Sequence, residues 1–304
     1  MSSFFNSDIY SVSVCYFLAY PFPYVTNYNC GQSAFSCIPA YAESGLNRIT
    51  AEVNLMTLKP KAIAALTSAL LAASVFSASA QALSNTKMGY GQGTITDGSN
   101  CPVGASDFNS QYGKYDAYAL TGEKNRIILT FDQGYENGYT APILDVLKEK
   151  NVKAIFFLTG DYAKKEDELV RRMIDEGHVL GNHGMTHASM PELSADALKE
   201  EVMSLHDYVL DKYGYEMQYL RPPCGEFSEE SLAQTSKLGY KTLMWSFAYV
   251  DWKTDAQPDT GQALEKITES AHSGGIYLLH SVSSTNAAVL GEAIDNLRAK
   301  GYNI

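Results

Sequence analysis

Residues 126–134 read Arg126-Ile-Ile-Leu-Thr-Phe131-Asp132-Gln133-Gly134. A short apolar run here ends on a carboxylate and a glycine that permits a tight turn. This is the pattern of a buried strand with a polar tip. Residues 141–150 follow, with Ile143, Leu144 and Leu147 at the spacing of one helix face. An apolar run at 153–158 comes next. The alternation then repeats: helix 164–176, strand 178–181, helix 194–212, strand 219–221, helix 228–238, strand 241–247, helix 260–271, strand 276–280 and helix 286–300. Residues 302–304 could add a last strand. Short strands alternating with amphipathic helices predict parallel βα units in an α/β fold, closed as a barrel or left open. Either arrangement binds ligands at the carboxyl ends of its strands.

The polar residues fall at those ends. Asp132 closes the first strand and His183 follows the third; Arg221 closes the fourth, Asp251 follows the fifth and His280 closes the sixth. His183 and His187 form an H-x3-H pair whose imidazoles can share a metal. Singly, each has a plainer reading. Asp132 could cap a turn, Arg221-Pro-Pro-Cys-Gly225 could be a rigid loop, and Asp251-Trp252 a turn with a core aromatic. Leu278-Leu279-His280 could be a buried strand with a satisfied histidine. Five such groups in order, each at a strand end, point to one site. Glycans, peptides and small molecules all remain open as substrates at this point.

Length and charge narrow the class. The 304 residues carry a net charge of −11 with 45% hydrophobic and 19% charged residues, enough apolar content for a packed core. A pI near 5.0 argues against a general nucleic-acid binder, which needs a basic face. Residues 1–80 hold three acids and three bases, so the whole of the −11 falls on residues 81–304. Met56-Thr-Leu-Lys-Pro-Lys61 is a short basic stretch, 62–76 is free of charge, and Ala78-Ser79-Ala80 is an A-x-A exit. Together they predict a secretory signal peptide at 56–80, and therefore a secreted or cell-envelope protein without a membrane span after cleavage. Residues 1–55 show no helical or strand period and are read as a leader translated from a start placed too far upstream. Residues 81–120, rich in Gly, Ser, Asn and Thr, are expected to form an extended arm. Of five cysteines only Cys101 and Cys224 follow the signal, and export would permit their pairing.

The ordered motifs resemble those of the NodB-type polysaccharide deacetylases, carbohydrate esterase family 4. The resemblance covers about residues 115–304 and rests on five motifs: Thr130 to Gly134, His183 to His187, Arg221 to Gly225, Asp251-Trp252, and Leu278 to His280. The context of Phe131 to Thr140, Leu220 to Pro223, Tyr249 to Trp252 and Ile276 to His280 is similar to the delta-lactam-biosynthetic de-N-acetylases. These act on N-acetylmuramic acid in peptidoglycan, notably in the spore cortex. The resemblance implies a distorted (β/α)7 barrel in residues 121–304. It implies that Asp132 is the general base, His280 the general acid, Arg221 the partner of Asp132 and Asp251 the partner of His280. The Cys224 backbone N–H would face the oxyanion, with Trp252 and Leu278 walling the acetyl methyl. His183, His187 and Gln133 would hold a divalent metal such as zinc. Gln133 stands where the family usually has Asp, so the third donor is neutral and the metal more weakly held. Peptidoglycan glycan strands are the partner implied. Chitin deacetylation, and glycan binding by a pseudoenzyme with a degraded metal site, are the alternatives.

Overall fold

The computed structural model describes residues 82–304; the leader expected at 1–55 and the signal peptide expected at 56–80 lie outside the described residues. Seven strands form one parallel sheet in the order β2-β8-β6-β5-β4-β3-β9. They are β2 (Ala117–Tyr118), β3 (Ile127–Gln133), β4 (Ile155–Leu158), β5 (Val179–Asn182), β6 (Tyr219–Leu220), β8 (Lys241–Leu243) and β9 (Gly275–His280). Beyond β8 the chain reaches across to β9, where Ser246 N–H donates to the Ile276 carbonyl and Leu278 N–H to that of Phe247. The sheet therefore curls into a distorted barrel, the closure implied by the resemblance where the alternation of elements left barrel and open sheet both possible.

Period-two alternation along β3 explains the layers. Ile127, Leu129 and Phe131 join the large cluster that also contains Ile143, Leu144 and Leu147 of α2 (Thr140–Glu149). Ile128 turns the other way and packs with Ile155, Phe157, Leu243 and Ile276. Fully burying each such aliphatic side chain contributes about 1.5–3 kcal/mol, so a register slip of one residue would forfeit the helix contacts of β3. Helices α5 (Ala195–Tyr213), α7 (Thr260–Glu269) and α8 (Ser284–Ala299) cover the same outer layer. The longest, α5, begins where Ser194 accepts the Ala197 N–H and ends at left-handed Gly214.

Two expected elements differ. The helix expected at 164–176 is two helices, α3 (Gly160–Lys165) and α4 (Asp167–Asp175). Thr159 starts the first early by accepting the Tyr162 N–H, and Glu166 between them leaves helical geometry. The strand expected at 241–247 stops at Leu243 because the Leu243 and Met244 carbonyls accept from the Arg221 guanidinium. At the C-terminus only a single bridge forms, between Asn303 and Arg126.

Residues 82–120 are more structured than an extended arm. They contain α1 (Val103–Tyr112) and the edge strand β2, and β1 (Met88–Gly89) pairs antiparallel with β7 (Glu226–Phe227). Phe108 and Tyr112 of α1 pack edge-on against Phe227, making a second small core with Met244 and Leu232 of α6 (Glu229–Lys237). Cys101 is buried, Cys224 is exposed, and both are free thiols.

Candidate active site

The parallel register sets Asp132 beside His280 on the adjacent strands β3 and β9. Both open into a cavity of about 950 Å³ at the carboxyl ends of the strands. His183, His187, Cys224, Trp252 and Leu278 line the same cavity. Arg221 and Asp251 lie behind it, with no exposed surface. The structure thus brings together nine of the ten residues expected to act, seven in the wall and two in direct contact with it. Gln133, the tenth, is fully buried and does not line the cavity.

Arg221 emerges at the end of β6 into the barrel interior. Its Nη1 donates to Asp132 Oδ1 at 2.7 Å while Nε and Nη2 are held by backbone carbonyls of 243 and 244. The guanidinium also lies over the Phe157 ring at 4.3 Å. Burial opposes charge on Asp132, but Arg221, with His183 and His280, outweighs it and holds the carboxyl below the usual carboxylate range. Asp132 is therefore biased toward the carboxylate form.

His280 carries the opposite bias. Its Nδ1 bonds Asp251 Oδ1 at 2.7 Å, and its backbone N–H donates to Asp251 Oδ2 at 2.9 Å. Burial works against protonation, but the hydrogen bond and charge of Asp251 prevail and raise the imidazole pKa. Asp251 is itself fixed by the Asn286 amide, which donates to Oδ2 at 2.6 Å; Asn286 in turn accepts from the Tyr249 hydroxyl. Trp252 packs near the His280 ring, 5.6 Å between centroids. A low-pKa carboxylate and a raised-pKa imidazole on neighbouring strands form a base and acid pair.

His183 and His187 face each other at 4.9 Å between ring centroids. His183 Nδ1 lies 2.8 Å from the Arg221 carbonyl, which fixes the tautomer and leaves Nε2 as a bare lone pair. Burial pulls the His183 pKa down to about 4, so the ring is neutral, as a metal ligand must be. Among the described residues no three His, Cys, Asp or Glu side chains converge as a metal cluster. The third candidate donor is an amide: Gln133 Nε2 donates to Ser281 Oγ at 2.5 Å, and its buried Oε1 has no partner. The facing imidazoles fit two donors to a divalent ion, and the unpartnered Gln133 amide oxygen would be a weaker third donor than a carboxylate.

Cys224 adopts a left-handed backbone, φ 57°. Gly225 follows at φ +65°, where an added Cβ would stand 2.6 Å from Trp245 Cη2. Only glycine lets the loop approach that indole. Trp245 also donates Nε1–H to Gln92 Oε1 at 2.8 Å, and Gln92 Nε2 donates to the Ala248 carbonyl. The N-terminal segment thus supplies Gly91 and Gln92 to the cavity wall. Gln92, Trp245 and Asn286 were not expected from the sequence, because each is brought in from outside the motifs by tertiary packing.

The polysaccharide deacetylase family profile matches residues 119–243, a span that holds Asp132, His183, His187, Arg221 and Cys224. Peptidoglycan-N-acetylmuramic acid deacetylase PdaA of Bacillus subtilis is 45% identical over 203 residues, covering 66% of this chain and 77% of that protein. The chain belongs to the polysaccharide deacetylases of carbohydrate esterase family 4. The solved structure of Bacillus subtilis PdaA, described as a family 4 carbohydrate esterase, superposes on this deacetylase with a TM-score of 0.69 and 41% identity, covering 73% of this chain and 95% of that one. A 30.6 kDa protein of Geobacillus stearothermophilus, itself uncharacterised, is 44% identical to the deacetylase over 77% of its chain and 89% of the relative.

Proposed function

We propose that this deacetylase hydrolyses the N-acetyl group of muramic acid in peptidoglycan, outside the cytoplasm after export. The observation that carries the chemistry is the pairing of Asp132–Arg221 with His280–Asp251 on adjacent strands of one cavity. The choice of sugar rests on the similarity to a relative whose name states that substrate.

A divalent metal held by His183, His187 and the Gln133 amide oxygen would supply Lewis acidity to the acetyl carbonyl and to water. Asp132, kept ionised by Arg221, takes a proton from the water that adds to the acetyl carbon. The developing oxyanion faces the Cys224 backbone N–H. His280, kept protonated by Asp251, donates to the departing amine nitrogen as the C–N bond breaks. Acetate and a free amine result. Leu278 and Trp252 enclose the methyl group. On muramic acid the freed amine lies beside the lactyl carboxyl, and closure between them with loss of water gives a muramic δ-lactam of the kind found in spore cortex.

Incubating residues 82–304 with purified glycan strands and with chitooligosaccharides, with added zinc and with chelator, tests this reading through released acetate. Release from the strands is expected. Release from chitooligosaccharides alone would assign a different polymer, and release from neither would leave a glycan-binding protein.

A further inference from the structure

The loop that carries the two histidines rests on a carboxylate from outside every motif. Glu201 lies on α5, is almost fully buried, and aims at residues 184–188. Its Oε1 accepts the Thr186 N–H at 2.8 Å and the Ala188 N–H at 3.2 Å, and its Oε2 accepts the Thr186 hydroxyl at 2.8 Å. The Glu201 carbonyl accepts the Met185 N–H, and Asn182 Oδ1 accepts that of Gly184. Three of these four loop N–H groups therefore point to one residue. Two of its corners have left-handed backbone, and at the first no side chain can be added. Gly184 sits at φ +84°, and a Cβ there would lie 2.6 Å from Glu201 Oε1. His187 is held left-handed at φ 62°, a conformation that costs a non-glycine residue about 1–2 kcal/mol.

The charge matters as well as the shape. A buried carboxylate normally has a cationic partner. The ion pairs around this site join Asp132 to Arg221 and Asp251 to His280. Glu201 belongs to none of them; its charge is met by hydrogen bonds from the loop. A cation between His183 and His187 would be the counter-charge on the far side of those few residues.

We infer that Glu201 is a positioning residue for the metal-binding pair: it fixes the 183–188 loop so that both imidazoles converge, and its negative charge favours a cation there. This rests on the metal reading of His183 and His187. The chemistry is that of an outer-shell carboxylate, which orients ligands and typically changes metal affinity by about 10- to 100-fold when removed.

Zinc titration calorimetry on the metal-free protein, with thermal melting alongside, tests the inference. Glu201→Gln keeps the volume, removes the charge and turns one acceptor into a donor. It should weaken zinc binding by about 10- to 100-fold, with kcat returning toward the parent value at saturating zinc. Thr186→Val, which removes only the hydroxyl bond, should weaken binding less while melting near the parent; it carries the test if Glu201→Gln folds poorly. An unchanged zinc Kd in both variants, whatever their melting temperatures, would overturn the inference and leave the metal reading intact. An unmodified protein that binds no zinc would overturn both.

Discussion

Two side chains of opposite bias set the chemistry at the residue scale. Arg221 leads the groups that bias Asp132 toward the carboxylate, and Asp251 biases His280 toward the protonated imidazole. Asp132→Asn should lower kcat by about 10²- to 10⁴-fold in protein that still folds; an active variant would remove Asp132 as the base. The sign of the pH dependence follows from His280. As an acid it works below its raised pKa, so activity falls as pH rises through that value. Asp251→Asn removes the cause of the rise and should move the alkaline limb of kcat/KM to lower pH. An unmoved alkaline limb would show that another group donates the proton. Asp132 and His280 were legible as candidates in the sequence because each lies at a strand end, where a polar side chain meets the cavity. Glu201 and Asn286 were not: a carboxylate on a helix face and an amide in the first turn of α8 look like ordinary surface residues until the fold buries them.

At the scale of elements, the helices and strands were legible wherever one face is apolar. The differences have local causes: non-helical geometry at Glu166 that splits one helix, and the carbonyls of 243 and 244 diverted to Arg221. The N-terminal segment was underestimated because its sequence is polar and glycine-rich, yet it pins a few aromatics into a core of its own. Phe108 is the centre of that core, in contact with Tyr90, Tyr112 and Phe227. Phe108→Ala should cost about 3–5 kcal/mol in urea unfolding. Because the same segment carries Gln92 to the cavity, it should also raise KM. A variant with unchanged stability would mean that the segment is only draped on the barrel.

The molecule as a whole carries a stability that depends on acid. His178 is buried, accepts the Ala154 N–H on Nδ1, and has its pKa lowered to about 4 by burial. The unfolded chain binds a proton near pH 6.5 that the folded chain refuses, so stability is full above that pH and is lost as pH falls toward 4. The loss from this group is about 3 kcal/mol at the end of that window. His178→Asn keeps an acceptor for Ala154 and should flatten the fall in melting temperature between pH 7 and 5; an unaltered slope would place the acid sensitivity elsewhere. Among the described residues no helix is long and apolar enough to cross a membrane.

The central claim concerns which sugar loses its acetyl group. The most direct measurement digests treated glycan strands to disaccharides and locates the mass loss by fragmentation. The account predicts an acetyl group missing from the muramic acid residue, and none missing with Asp132→Asn. Loss from the glucosamine residue, with muramic acid intact, would contradict it.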